Sequence, residues 1–65
     1  MTDAVPALIE IAETDPDLFV KKAALQALGA LHDDRALPLL MRIRDGADRF
    51  LAVAARKSLE LYVTR

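Results

Sequence analysis

The chain has 65 residues, 54% of them hydrophobic but only 5% aromatic, with no cysteine and a net charge of −1. A chain of this length builds one small domain, which buries only about 60% of the surface exposed when unfolded. Disulfides and thiolate metal sites are excluded, and the near-neutral balance gives no general attraction to nucleic acid or anionic membrane.

The first element opens on Asp3, a side-chain cap for the helix that follows. Val5, Leu8, Ile9 and Ala12 then fall at i, i+3, i+4 and i+7, one face of a helix. Pro6 sits in its first turn, where a missing N–H costs nothing. The stretch Thr14-Asp15-Pro16-Asp17 ends this helix, because proline drives the preceding residue away from helical angles. Asp17 can cap the next helix. Its expected buried stripe is broad: Phe19, Val20, Ala23, Ala24, Ala27, Leu28 and Leu31. Apolar pairs recurring every four residues give a face wide enough to touch two neighbours, and the alanines permit close approach. His32 follows the helix.

Asp33 or Asp34 is expected to cap a third helix, with Pro38 near its start and Leu37, Leu40, Met41 and Arg44 on its face. In the loop Asp45-Gly46-Ala47-Asp48, Gly46 is expected to take the left-handed conformation and Asp48 to cap the last helix. That helix carries the stripe Phe50, Leu51, Ala54, Ala55, Ser58, Leu59 and Tyr62.

These elements say one thing twice. AVPAL at 4–8 matches ALPLL at 36–40 with an offset of 32, and FVKKAA at 19–24 matches FLAVAA at 50–55 with an offset of 31. The loop between the paired helices is therefore expected to be one residue shorter in the second copy. A fixed period of this size is the signature of stacked repeats, so missing it would miscast the fold.

The residues that carry this pattern are the Pro6 and Pro38 pair, Asp15-Pro16-Asp17, Val20, Ala23-Ala24, Ala27-Leu28-Gly29 and the link Asp33/Asp34-Arg35-Ala36. Together they resemble HEAT-like repeats of the phycobilisome-lyase type, over nearly the whole chain. The resemblance implies an all-α fold, an α-solenoid of two HEAT-like helical hairpins with four helices. We expect one domain over residues 1–65, with repeat one at 3–32 and repeat two at 33–64. It also implies exposed helix faces that bind other macromolecules. The second copy departs from the pattern. Ala52 and Val53 stand where Lys21 and Lys22 stand in the first, and Glu60 stands where Gly29 ends the first long helix, so the last helix is expected to run on to Val63 or Thr64.

Two repeats leave two open ends. Neither looks capped: Ile11 lies off the stripe of the first helix, and Ala52, Val53, Leu61 and Val63 lie off that of the last. We therefore expect self-association, a two-fold homodimer that continues the stack, with Val53 in its contact. Residues 1–32 carry −3 and residues 33–65 carry +2, a polarity that suits head-to-tail contact or an acidic partner.

Catalysis finds no constellation. His32 is the only histidine, and Ser58, the only serine, falls on the buried stripe. Asp33-Asp34 reads as a turn and cap before it reads as a metal pair, and no phosphate-binding or metal motif occurs. We expect no catalytic, cofactor or metal residues. Nucleic acid is disfavoured, because Arg42, Arg44, Arg49, Arg56, Lys57 and Arg65 lack the interleaved aromatics that stack on bases. No run is apolar enough to span a membrane and the N-terminus lacks the pattern of a signal peptide, so the expected location is the cytoplasm. The expected role is a non-enzymatic scaffold or adaptor for proteins. The alternatives are an accessory or fragment of a lyase-type repeat enzyme acting on a protein client, and a weak nucleic-acid binder. Its docking surface should be the exposed side of the two long helices: Leu25 and Val53 as apolar anchors, with Lys22, Gln26, Arg56 and Lys57 as a polar rim.

Overall fold

In the computed structural model, residues 3–63 are described and all regular structure is helical. The helices are α1 (Ala4–Thr14), α2 (Leu18–Leu31), α3 (Leu37–Arg44) and α4 (Arg49–Val63), with a short 3-10 turn (Asp34–Ala36) leading into α3. Thr64 and Arg65, named above as a possible helix end and as part of the basic set, lie outside the described residues.

Aspartates set the helix starts as expected. Asp3 accepts from the Val5 amide at 3.0 Å, and Asp17 accepts from the amides of Phe19 and Val20 at 2.8 and 3.3 Å. Asp48 accepts from the Leu51 amide at 3.0 Å. Each bond satisfies a donor that the first helical turn leaves unpaired. Asp33 accepts from the Arg35 amide and so caps the 3-10 turn, while Asp34 lies within that turn. α3 grows out of the turn and has no side-chain cap of its own.

The helix ends correct one expectation. Gly46 does not enter the left-handed region; neither glycine does. α3 stops at Asp45 with φ −92° and ψ 2°, whose amide reaches back to Met41. The left-handed residue is His32, at φ 54° and ψ 35°, which terminates α2 and turns the chain toward the second repeat. Histidine is one of the few side chains enriched there.

α1 packs on α2, α3 on α4, and α2 on α4, so two helical hairpins stack through their second helices. One contiguous core runs through both: Val5 and Ala12 from α1, Leu25 and Leu28 from α2, Leu39 and Leu40 from α3, Leu51 and Ala55 from α4, among others. Ile11, expected off the face of α1, packs against this core.

The buried faces reveal the true register. α1 uses Val5, Leu8, Ile9 and Ala12, and the second copy uses Ala36, Leu39, Leu40 and Ile43. The offset is 31, the same as between α2 and α4. The proline pair, at an offset of 32, therefore misaligns the first helices by one residue, and the expected shorter second loop disappears. A shift of one residue turns a helix by 100°. Met41 and Arg44, expected on the buried face of α3, are accordingly exposed, and Leu39 and Ile43 take their place.

α2 is rotated too. Its buried positions are Ala24, Leu25, Leu28 and Gly29, while Phe19, at the head of the expected stripe, is 74% exposed. Leu25, expected as an exposed anchor, is fully buried. The α4 stripe holds better, with Leu51, Ala54, Ala55 and Ser58 all buried.

Candidate protein-docking site

The seam between α2 and α4 is built on small residues. Gly29 lies inside α2 and does not end it. A Cβ there would sit 2.8 Å from Ser58 Cβ and 2.9 Å from Ser58 Cα, closer than carbon atoms can approach. Gly29 thus lets the two helices touch, backbone against side chain. Ser58, the one buried polar side chain among the described residues, donates its hydroxyl to the Leu25 carbonyl at 2.7 Å. Both features fix α4 against α2 at one height.

Farther along, the half-buried Tyr62 donates its hydroxyl to the Asp33 carbonyl at 2.7 Å, tying the last helix to the link between repeats. Its hydroxyl is thereby bonded to the backbone instead of left to water. Burial, then the nearby carboxylates of Asp33 and Asp34, push the phenol above its ordinary value. The His32 ring packs on the Tyr62 ring with centroids 5.4 Å apart.

Arg35 clamps the same link from outside. Its guanidinium donates to both Asp33 oxygens, at 3.0 and 2.7 Å, and to Asp3 at 2.7 Å. The arginine in the Asp-Arg link therefore joins the cap of repeat one to the cap of repeat two. This guanidinium, then the Arg35 amide, hold the Asp33 carboxyl down to about 2; the guanidinium and the Val5 amide lower Asp3 likewise. Arg35 and Asp3 are exposed and Asp33 is half-buried, so the clamp is open to solvent and orients the link more than it stabilises it. Arg42 pairs with Glu13 across the two hairpins, and Arg44 pairs with its neighbour Asp45.

On the outer face of the α2–α4 layer, away from α1 and α3, the two helices leave a groove of about 480 Å³. Its floor is Phe50, Val53 and Ala54. Its banks carry Lys22 and Gln26 from α2, and Arg49 and Lys57 from α4. At one end the Phe19 and Phe50 rings meet edge to face, 5.5 Å apart at 76°, and Lys22 Nζ lies 5.3 Å from the Phe50 centroid. Of the six residues expected at a docking surface, Lys22, Gln26, Val53 and Lys57 come together here. Arg56 is exposed but lies off the groove, and Leu25 is core. Arg49 and Phe50 were missed as site residues; the row Arg49, Val53, Lys57 at i, i+4, i+8 is the signal that marks Arg49, and Phe50 joins the same face three residues before Val53.

The two ends of the stack differ. The face of α4 that packs on α2 includes Leu51, Ala54 and Ser58, and Tyr62 lies half-buried along it. The equivalent positions of α2, 31 residues earlier, are Val20, Ala23, Ala27 and Leu31. Nothing among the described residues covers them fully: Val20 is 41% and Leu31 50% exposed, where Leu51 is 6% exposed. At the other end, Arg56 and Glu60 replace Leu25 and Gly29, and both are exposed. The far side of α4 is thus polar at the two positions a next repeat would need for close packing, although Leu61 and Val63 remain exposed near its tip.

Two stacked helical hairpins, a close inter-helix seam and an open apolar groove define an all-α helical repeat protein. A family model for HEAT repeats matches residues 1–60, and the chain belongs to the HEAT repeat family. The match is to HEAT repeats in general and does not single out the lyase-type branch. HEAT repeats generally mediate protein–protein interaction, and the family is typically a non-enzymatic scaffold. No curated protein and no solved structure matches the chain. No helix among the described residues is long and apolar enough to cross a membrane.

Proposed function

We propose that this chain is a non-enzymatic protein-interaction module, and that it pairs with a second copy of itself through the open face of α2. One observation carries the reading: repeat two buries Leu51 and Ala54 and half-buries Tyr62, where repeat one leaves the equivalent Val20, Ala23 and Leu31 exposed. An antiparallel two-fold contact sets Val20 of one copy beside Leu31 of the other, with Ala23 and Ala27 near the axis. It continues the stack to four repeats. Val53, expected from the sequence to lie in this contact, lines the groove, and we assign the contact to α2.

The non-enzymatic part rests on how the candidate groups are engaged. The Ser58 hydroxyl is buried and bonded to a backbone carbonyl, and His32 is a helix terminator whose ring lies tilted against Tyr62. An accessory role beside a lyase-type enzyme remains a family-level alternative that no residue of this chain specifically favours.

Magnitudes make the dimer weak. Val20 and Leu31 from two copies are each about half exposed, so burying all four is worth about 3–6 kcal/mol gross. Association costs about 4 kcal/mol or more, so these four side chains alone leave at most about 2 kcal/mol net; pairing by about 1 mM needs about 4 kcal/mol net, and the rest must come from Ala23, Ala27 and the contacts around them. Sedimentation equilibrium over a concentration series tests this. The expected mass rises from 7.1 kDa toward twice that value, and Leu31→Glu holds it at the monomer. A parent chain that stays monomeric up to about 1 mM, or a Leu31→Glu variant that associates as before, overturns the pairing.

A further inference from the structure

We infer that the α2–α4 groove takes an acidic amphipathic helix, whose apolar ridge lies on Phe50 and Val53 and whose carboxylates meet Lys22, Arg49 and Lys57. This inference rests on the chain being a protein-interaction module, but it uses a different surface from the α2 pairing, so each can fail alone.

The charge argument comes from a contrast within the molecule. Arg35, Arg42 and Arg44 each pair with a carboxylate of the chain itself. Among the described residues, Lys22, Arg49 and Lys57 pair with none, and no carboxylate lines the groove that they share. Three unpaired cations around an apolar floor attract anionic groups that also bring apolar surface. Lys22 contributes in a second way. Its ammonium lies near the Phe50 ring, where the quadrupole holds it at the groove edge.

The shape argument comes from side-chain rows. On α4, Arg49, Val53 and Lys57 fall at i, i+4, i+8; on α2, Lys22 and Gln26 fall at i, i+4. Such rows form ridges, and the furrow between two ridges accepts the ridge of a third helix. Helices of 14 and 15 residues are about 21–23 Å long, which suits a partner helix of about 15 residues. Its leucines would recur at i, i+3/i+4 and i+7, with glutamates flanking them.

Nucleic acid fits less well. Stacking needs a free aromatic face, and Phe50, the one aromatic residue lining the groove, is already engaged by Phe19 and Lys22. An apolar floor of Val53 and Ala54 offers a base edge no hydrogen bond.

The test uses the Leu31→Glu chain, so that self-pairing does not compete, and repeats the titration with the unaltered chain. Fluorescence anisotropy reads four labelled probes: a helix of about 15 residues with a leucine ridge and glutamate flanks, the same helix with lysines for the glutamates, the glutamate helix without its leucines, and an oligothymidylate of about 15 nucleotides. The glutamate-leucine helix is expected to bind at least about tenfold tighter than each of the others, and its affinity should fall as salt rises. Lys22→Glu with Lys57→Glu should weaken it by about tenfold or more, whereas Arg56→Glu, off the groove, should have a much smaller effect. Circular dichroism checks that each variant keeps the parent's helicity, and Lys57→Glu alone serves if the double variant does not. Equal binding of the lysine helix, tighter binding of the oligonucleotide, indifference to the lysine substitutions, or no binding by about 1 mM each overturns the inference. If the groove test fails while the mass series succeeds, the self-pairing stands without this site. The reverse result leaves the site without the self-pairing.

Discussion

α2 and α4 are copies of one helix, 31 residues apart, yet they bury different sides. α4 buries Leu51, Ala54, Ala55 and Ser58 against the repeat that precedes it. α2 buries Leu25, Leu28 and Gly29 toward α1 and the repeat that follows. In a stacked array each helix has a front and a back, and a repeat's neighbours decide which of them meets water. Ala23 is surface where its counterpart Ala54 is core, while Ala24 and Ala55 are core in both copies. The proposed function follows from this difference: the front of α2 leaves Val20 and Leu31 exposed, and the outer junction of the two helices is a groove.

The comparison breaks most sharply at Leu25 and its counterpart Arg56. Leu25→Ala should cost about 3 kcal/mol, a large share of the stability of so small a fold, and Arg56→Ala should leave the urea midpoint where it is. Equal shifts would mean that the two positions are equivalent after all. Gly29 comes next. Gly29→Ala gains about 1 kcal/mol of helix propensity but drives a methyl into Ser58, so a net loss of about 1–2 kcal/mol is expected. A stabilised variant would show that the seam can open freely. Removing the Tyr62 hydroxyl with Tyr62→Phe should cost about 1 kcal/mol, because the Asp33 carbonyl loses its donor. Leu31 has no such bond, and Leu31→Phe should change stability much less.

The smallest effect sharpens the comparison at the link. Asp33 is depressed in the folded chain, so the stability that it contributes is fully present above the ordinary value of 3.8. That contribution is lost as the pH falls through that value toward about 2. Since the Arg35 guanidinium that holds Asp33 is exposed, the change is slight. Arg35→Gln should flatten the thermal stability between those two pH values, and an unchanged slope would remove the clamp from the account.

Much of this was legible in the residues. Asp3, Asp17 and Asp48 mark helix starts because their short carboxylates cap the first turn, and that chemistry is local. The α4 stripe was readable because Arg56, Lys57 and Glu60 mark its wet side. α2 resisted, since Val20, Ala23, Leu25, Ala27, Leu28 and Leu31 surround most of the helix and periodicity alone cannot choose between two apolar arcs. The α3 face was misread by one residue because a proline tolerated anywhere in the first turn is a poor register mark. Gly46 resembled a left-handed terminator by type, while His32 took that role by position. The groove was partly legible: Lys22, Gln26, Val53 and Lys57 follow from helix rows, whereas Phe50 looked like core and is instead the groove's floor. Which side of α2 faces water depends on the neighbouring helix, and that is a tertiary fact.

The most direct measurement compares the thermal melts of Val20→Glu and Leu51→Glu, equivalent positions that are 41% and 6% exposed. At concentrations where the chain is monomeric, Val20→Glu should melt within about 4 °C of the parent, and Leu51→Glu should lose its cooperative transition, because a buried charge without a partner costs several kcal/mol. Melts lowered equally by both substitutions would show that α2 and α4 bury the same face, and would contradict the account.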